Sequence, residues 1–172
     1  MLRTSKGQKA LEKISKPKRF WRAYGEVSLW VCWIAMFIVT AVVLVAIFSA
    51  IIMGNQAEAR PISELVAIPG ISPIIPLGWG VLAFVICLVI HEYGHGIQAR
   101  AHGMRVRSFG LLMAGPLPLG AFAEPEYSEI SSSPRRERQR MFAAGPATNI
   151  FAAFILIVIL GQVAGQFSSS EP

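Results

Sequence analysis

Apolar residues gather in three long runs, Ser28 to Met53, Leu77 to Gln98 and Met141 to Val163, separated by polar or Gly/Pro-rich stretches. Each run is close to the roughly 20 residues a helix needs to cross about 30 Å of hydrocarbon, so each predicts a transmembrane helix. Between the second and third runs, residues 104–127 break this pattern. Arg105, Arg107 and FGLLMAG, then GPLPLGAFAEPEY, alternate short apolar pieces with Gly and Pro, which predicts extended backbone and a β-hairpin. The segment is too apolar for an ordinary loop, and non-helical backbone at membrane depth needs protein or a water-filled cavity to satisfy its polar groups. The expected fold is therefore a polytopic, all-α membrane bundle of about three transmembrane helices, with a small membrane-associated β-hairpin between the second and third.

Local signals refine the boundaries. Pro61, Pro69, Pro73 and Pro76 make the first connection irregular and start the second helix near Leu77. Gly103, just after Arg100 and His102, predicts the stop of that helix. Ser133 and Pro134 predict an N-cap and first helical position, from which a basic interfacial helix runs into the third span. Residues 1–26 read as a basic tail with Trp21 and Tyr24 at the interface, and 27–172 as the membrane core. The first run is far longer than a signal peptide's apolar region of roughly 7–15 residues and is not followed by a small-residue cleavage site, so it is expected to be retained.

Composition agrees: 53% of the residues are apolar, and mean hydropathy is +0.52. The net charge of +6 matters less than its distribution. Basic residues crowd the tail (Arg3 to Arg22) and the 100–140 region, whereas the loop 54–72 carries Arg60 against Glu58 and Glu64. The positive-inside rule then places the N-terminus in the cytoplasm and the C-terminus outside, in a multi-pass protein of the cell membrane. Cations at membrane flanks do not describe a nucleic-acid binder. Cys32 and Cys87 both lie inside apolar runs, so they support neither a disulfide framework nor a Cys-based metal site.

The chemistry lies in HEYGHG, His91 to Gly96, near the end of the second run. An ionisable residue in a span costs roughly 2.5–3.5 kcal/mol on insertion scales and is by default a functional candidate. His91 and His95, four residues apart, share one helix face about 6 Å apart along the axis, so one metal ion can reach both. Zn²⁺ in hydrolytic sites takes three protein ligands and activates a water. Glu92 is then placed to accept that water's proton and return it to a leaving amine. The metzincin pattern fails, because its third ligand position and preceding Gly are Ala101 and Gln98. His102 is about two helical turns, roughly 10 Å, beyond His95 and cannot share the ion if the helix continues. Glu124 and Glu126 remain as third-ligand candidates if the hairpin folds back under the site. In the third run, Pro146 removes a helix hydrogen bond and Asn149 brings a polar side chain to similar depth.

Together HEYGHG, the apolar hairpin with PLGAFAE (Pro118 to Glu124) and the span opening AAGPATN (Ala143 to Asn149) resemble the site-2 proteases, intramembrane zinc metalloproteases. The resemblance runs from Leu77 onward. It implies zinc ligands at His91 and His95, a general base at Glu92, substrate or transition-state support from Asn149, and a helix shaped by Gly145 and Pro146. It also implies that the hairpin holds unwound substrate and that the chain cleaves transmembrane segments of membrane proteins near the cytoplasmic face. One part is missing: members carry an Asp-Gly motif on a further helix, whose Asp is the third ligand, and this chain contains no Asp. The expectation is a portion of a longer chain that would add the Asp-bearing helix and a PDZ-like outside domain. A third ligand from Glu124, Glu126 or a partner, and an inactive membrane scaffold, are the alternatives. A metal-ion transporter is the competing function.

Overall fold

The computed structural model describes residues 2–4, 6–53, 75–114 and 117–168, with side chains described over 8–52, 75–108 and 125–166. The elements run β1 (Leu2–Thr4), α1 (Lys6–Ile14), α2 (Lys18–Met53), α3 (Leu77–Ala101), β2 (Val106–Ala114), β3 (Leu117–Pro125), α4 (Tyr127–Ser132) and α5 (Arg135–Ser168). Three of the helices have the length and composition to cross a membrane: Lys18–Ile52, Leu77–Ala101 and Arg135–Gln166. Packing is concentrated at one end of them. The core is built from Leu11, Ile97, Ala99, Met104, Val106 and Met141, where α1, the end of α3, the start of β2 and the start of α5 meet. Farther along the spans the large apolar side chains are exposed, from Met36 to Ile52 in α2 and from Phe154 to Leu160 in α5. In water such surfaces would be intolerable, and they suit contact with lipid or further helices.

Helix α2 starts at Lys18, well before its apolar run, so the end of the basic tail is helix continuous with the first span. The tail also contributes α1, whose Leu11 is fully buried. Helix α3 ends in a turn in which the N–H groups of His102, Gly103 and Met104 donate to the carbonyls of Gln98, Arg100 and Ala99. Gly103 sits at φ +88°, a left-handed conformation that side chains with a Cβ adopt only under strain. Strands β2 and β3 pair antiparallel, with Val106 opposite Pro125 and Ala114 opposite Leu117, and irregularities at 106–108 and 112–113. Strand β1 pairs antiparallel along the other edge of β2, Leu2 opposite Leu111, so part of the basic tail belongs to a three-stranded sheet. β3 lies against α3, and α5 packs along both α2 and α3.

Candidate metal centre

Helix α3 carries His91, Glu92 and His95, and α5 closes over them with its small residues. The approach is close because Gly94, Ala143, Ala144, Gly145 and Ala147 are buried where the helices cross. A Cβ on Gly94 would lie 2.7 Å from Thr148 Oγ1 and 2.8 Å from the Ala144 carbonyl oxygen. Small residues let two backbones approach within lipid, where hydrophobic burial gives no drive for helix association.

The imidazoles of His91 and His95 meet edge to face, with ring centroids 4.8 Å apart. Both direct Nε2 toward one point on α5: a Cβ on Gly145 would lie 2.7 Å from His91 Nε2 and would collide with His95 Nε2 as well. The other nitrogen of each ring is held. His95 Nδ1 lies 2.8 Å from the Met141 carbonyl oxygen. A carbonyl only accepts, so Nδ1 carries the proton and the lone pair of the neutral ring is on Nε2. His91 Nδ1 lies 3.2 Å from the Asn149 side-chain amide, whose Oδ1 is buried without a hydrogen-bond partner. Asn149, introduced by resemblance as substrate support, therefore stands behind a candidate ligand.

The carboxylate candidates fall elsewhere. Glu126 is paired with Arg107, whose Nε and Nη2 donate to its two oxygens, the latter at 2.7 Å. The side chain of Glu124 lies outside the described residues. Among the described residues no three His, Cys, Asp or Glu side chains come together to hold a metal. The two imidazoles thus fit a zinc ion in donor type and convergence, and His95 also in tautomer; Pro146 lies within α5 beside Gly145 with its ring exposed.

Residues not singled out by the motif also shape the site. The Met141 carbonyl has no sequence signature of its own, although it sits one turn before Gly145. Tyr24 Oη pairs with Thr148 Oγ1 at 2.8 Å, and Thr148 Oγ1 donates to the Ala144 carbonyl at 2.6 Å, tying α2 to α5 at this level. Gln98, fully buried, donates through Nε2 to the Trp21 carbonyl. Glu26 of α2 receives Arg140 Nε at 2.6 Å and also pairs with Arg136, both from the start of α5. Beyond the span, burial and the nearby Arg22 and Arg140 push His102 below its usual pKa against the opposing pull of Glu137, 3.5 Å away, with burial the largest cause.

Comparison with known proteins gives this site its family. Residues 79–170 match peptidase family M50, over half the chain and covering the histidine pair, β2, β3 and α5. The chain belongs to peptidase family M50, the site-2 protease family. With its three apolar helices it is a multi-pass membrane protein. It is similar to an uncharacterized protein of Methanocaldococcus jannaschii, 31% identical over 163 residues that cover 93% of this chain and 42% of that protein. The M50 chain thus spans less than half the length of that relative. No solved structure matches it.

Proposed function

We propose that this M50 chain carries the zinc-binding and general-base portion of an intramembrane endopeptidase that cuts transmembrane segments near the cytoplasmic face. The observation that carries the reading is the convergence of His91 and His95 Nε2 on Gly145, with His95 Nδ1 held by a backbone carbonyl. His91 and His95 would hold the ion, and none of the described residues is assigned as the third ligand. A zinc ion there supplies Lewis-acid polarisation of a carbonyl and of a water.

The chain's own residues account for the remaining steps. With its amide turned so that Oδ1 faces the ring, Asn149 accepts His91 Nδ1–H and leaves Nε2 free, matching His95; such amide orientations are assigned from the hydrogen-bond network. Glu92 follows His91 on the same helix turn, and its carboxylate takes a proton from the attacking water and returns it to the leaving amine. The scissile bond must leave its helix to be attacked. Strand pairing can hold it extended; β1 pairs with β2 over Phe109–Leu111, and the longest edge that no described strand occupies is that of β3, which lies against α3. The basic residues flanking this end of the bundle support a cytoplasmic position for it by the positive-inside rule.

Zinc content and cleavage of a membrane-inserted substrate test the assignment together. Glu92→Gln is expected to keep zinc and abolish cleavage, while His91→Ala with His95→Ala loses zinc. Retained cleavage in the Glu92→Gln variant would remove the general base from this reading. Unchanged zinc in the double variant would remove the ligands, and zinc-dependent metal uptake into vesicles without proteolysis would favour transport.

A further inference from the structure

A second site lies where the turn between α1 and α2 meets the end of α3. A cavity of about 360 Å³ is lined there by Glu12, Ser15, Lys16, Lys18, Arg100 and Met104, together with Gly103. Three cations face one carboxylate. No salt bridge among the described residues neutralises Lys16, Lys18 or Arg100, and Arg100 Nε is buried without a hydrogen-bond partner.

The backbone adds to this positive field. Carbonyls that would repel an anion are already engaged: those of Gln98, Ala99 and Arg100 by the turn after α3, and those of Leu11 and Glu12 by Ser15 N–H and Ser15 Oγ. Helix α2 begins at the cavity with no acidic residue in its first turn. First-turn N–H groups lack acceptors within their own helix. Here Trp21 N–H reaches the Pro17 carbonyl and Lys18 N–H the Lys16 carbonyl, and Lys18, the first residue of α2, lines the cavity, so the positive end of a long helix dipole lies beside it.

The position selects the kind of anion. Phe20 is exposed beside Lys18, and Trp21 and Tyr24 follow within the next turn, an aromatic set typical of a membrane interface. Ile14, adjacent to Ser15, borders a second, apolar cavity of about 330 Å³ that runs past Trp21, Tyr24 and Ile97 to Gly94 and Thr148 in the seam between α3 and α5. A phosphate beside an apolar cleft is the chemistry of a phospholipid, and basic pockets between membrane helices take anionic headgroups. We propose that Lys16, Lys18 and Arg100 form a binding site for the phosphate headgroup of an anionic phospholipid.

Native mass spectrometry of the detergent-solubilised protein, titrated with phosphatidylglycerol or chain-matched phosphatidylcholine, tests this. The unaltered protein is expected to bind one phosphatidylglycerol at least about tenfold more tightly than phosphatidylcholine. At about fivefold per cation, Lys16→Gln with Lys18→Gln weakens phosphatidylglycerol roughly 25-fold and Arg100→Gln about fivefold. Lys9→Gln with Lys13→Gln, the same charge change on α1, is expected to alter binding less than about twofold, and Lys16→Arg with Lys18→Arg to retain it. Equal losses in the two Gln pairs, or equal affinity for the two lipids, would overturn the site. Inorganic phosphate binding as tightly as phosphatidylglycerol would overturn the lipid and assign the cavity to a free anion.

Discussion

The seam between α3 and α5 and the strand segment beside it are built on opposite principles. In the seam, where Ala144 and Ala147 are also buried, two helices lie so close that a Cβ on Gly94 would press on the Ala144 carbonyl and one on Gly145 on both imidazoles. In the strand segment, Arg105 just before β2 and Arg107 within it, both largely exposed, fasten the strand to the α4 region by ion pairs with Glu129 and Glu126. Packing of the first kind holds two imidazoles in a fixed relation, as a metal centre requires. Attachments of the second kind can be released and remade, as suits the substrate-admitting role proposed for the strands.

The largest effect is expected from adding one methyl group to the seam. Gly145→Ala places a Cβ against both Nε2 atoms, so the imidazoles must leave the positions from which they converge. Zinc affinity should fall by more than the roughly 10–100-fold that loss of a supporting residue costs. Gly94→Ala meets the Ala144 carbonyl instead, so its cost is expected in stability, about 1–3 kcal/mol for overpacking, with a smaller change in zinc affinity. Zinc competition with a chelator and thermal unfolding separate the two. Equal effects of both substitutions on zinc would mean that the seam sets helix spacing in general and does not shape the metal centre.

A smaller effect is expected at Asn149. Asn149→Ala removes the group behind His91 Nδ1, 3.2 Å away, and should weaken zinc about 10–100-fold. Asn149→Asp, whose carboxylate can only accept at neutral pH, should retain zinc binding. If zinc affinity is unchanged in the Ala variant while cleavage falls, Asn149 acts on substrate, as the family resemblance alone implied.

These contrasts mark what the sequence makes legible. Apolar runs of the right length reveal the three spans because the membrane imposes one pattern on every spanning helix. The i, i+4 spacing of His91 and His95 reveals a shared face because helix geometry fixes it. The partner of His95 was not legible, because it is a backbone carbonyl that any residue at position 141 would supply. Nor was β1, whose Leu2–Thr4 segment is too short to show a strand period and is defined by its pairing with β2. Helix α2 begins at Lys18 because continuous helix satisfies the backbone of polar residues as well as apolar ones, so a hydropathy boundary understates it. For Glu126, a hairpin folded back under the site would have allowed a role as ligand; its two-point pairing with Arg107 depends on tertiary placement and is invisible in the sequence.

The smallest effect is expected in the strand segment and depends on pH. Arg105 N–H donates to Glu129 Oε2 at 2.5 Å, and Arg105 Nε to Oε1 at 2.7 Å. The backbone bond, followed by the guanidinium bond, holds Glu129 below its ordinary carboxylate pKa. A carboxylate whose folded pKa is depressed contributes stability that is present above its unfolded pKa and lost as pH falls through the folded value. The attachment is therefore intact at neutral pH and weakens on the acid side, and because the pair is solvent-exposed the change stays local. Hydrogen exchange at the Arg105 amide, corrected for intrinsic rates, should lose protection by a few-fold between about pH 6 and pH 3. Glu129→Gln should lower protection at neutral pH and remove much of this pH dependence, while amides in the α3–α5 seam stay unchanged in both tests. If the seam loosens together with Arg105, the two regions open as one unit, and strand release cannot admit a substrate while the metal centre keeps its shape.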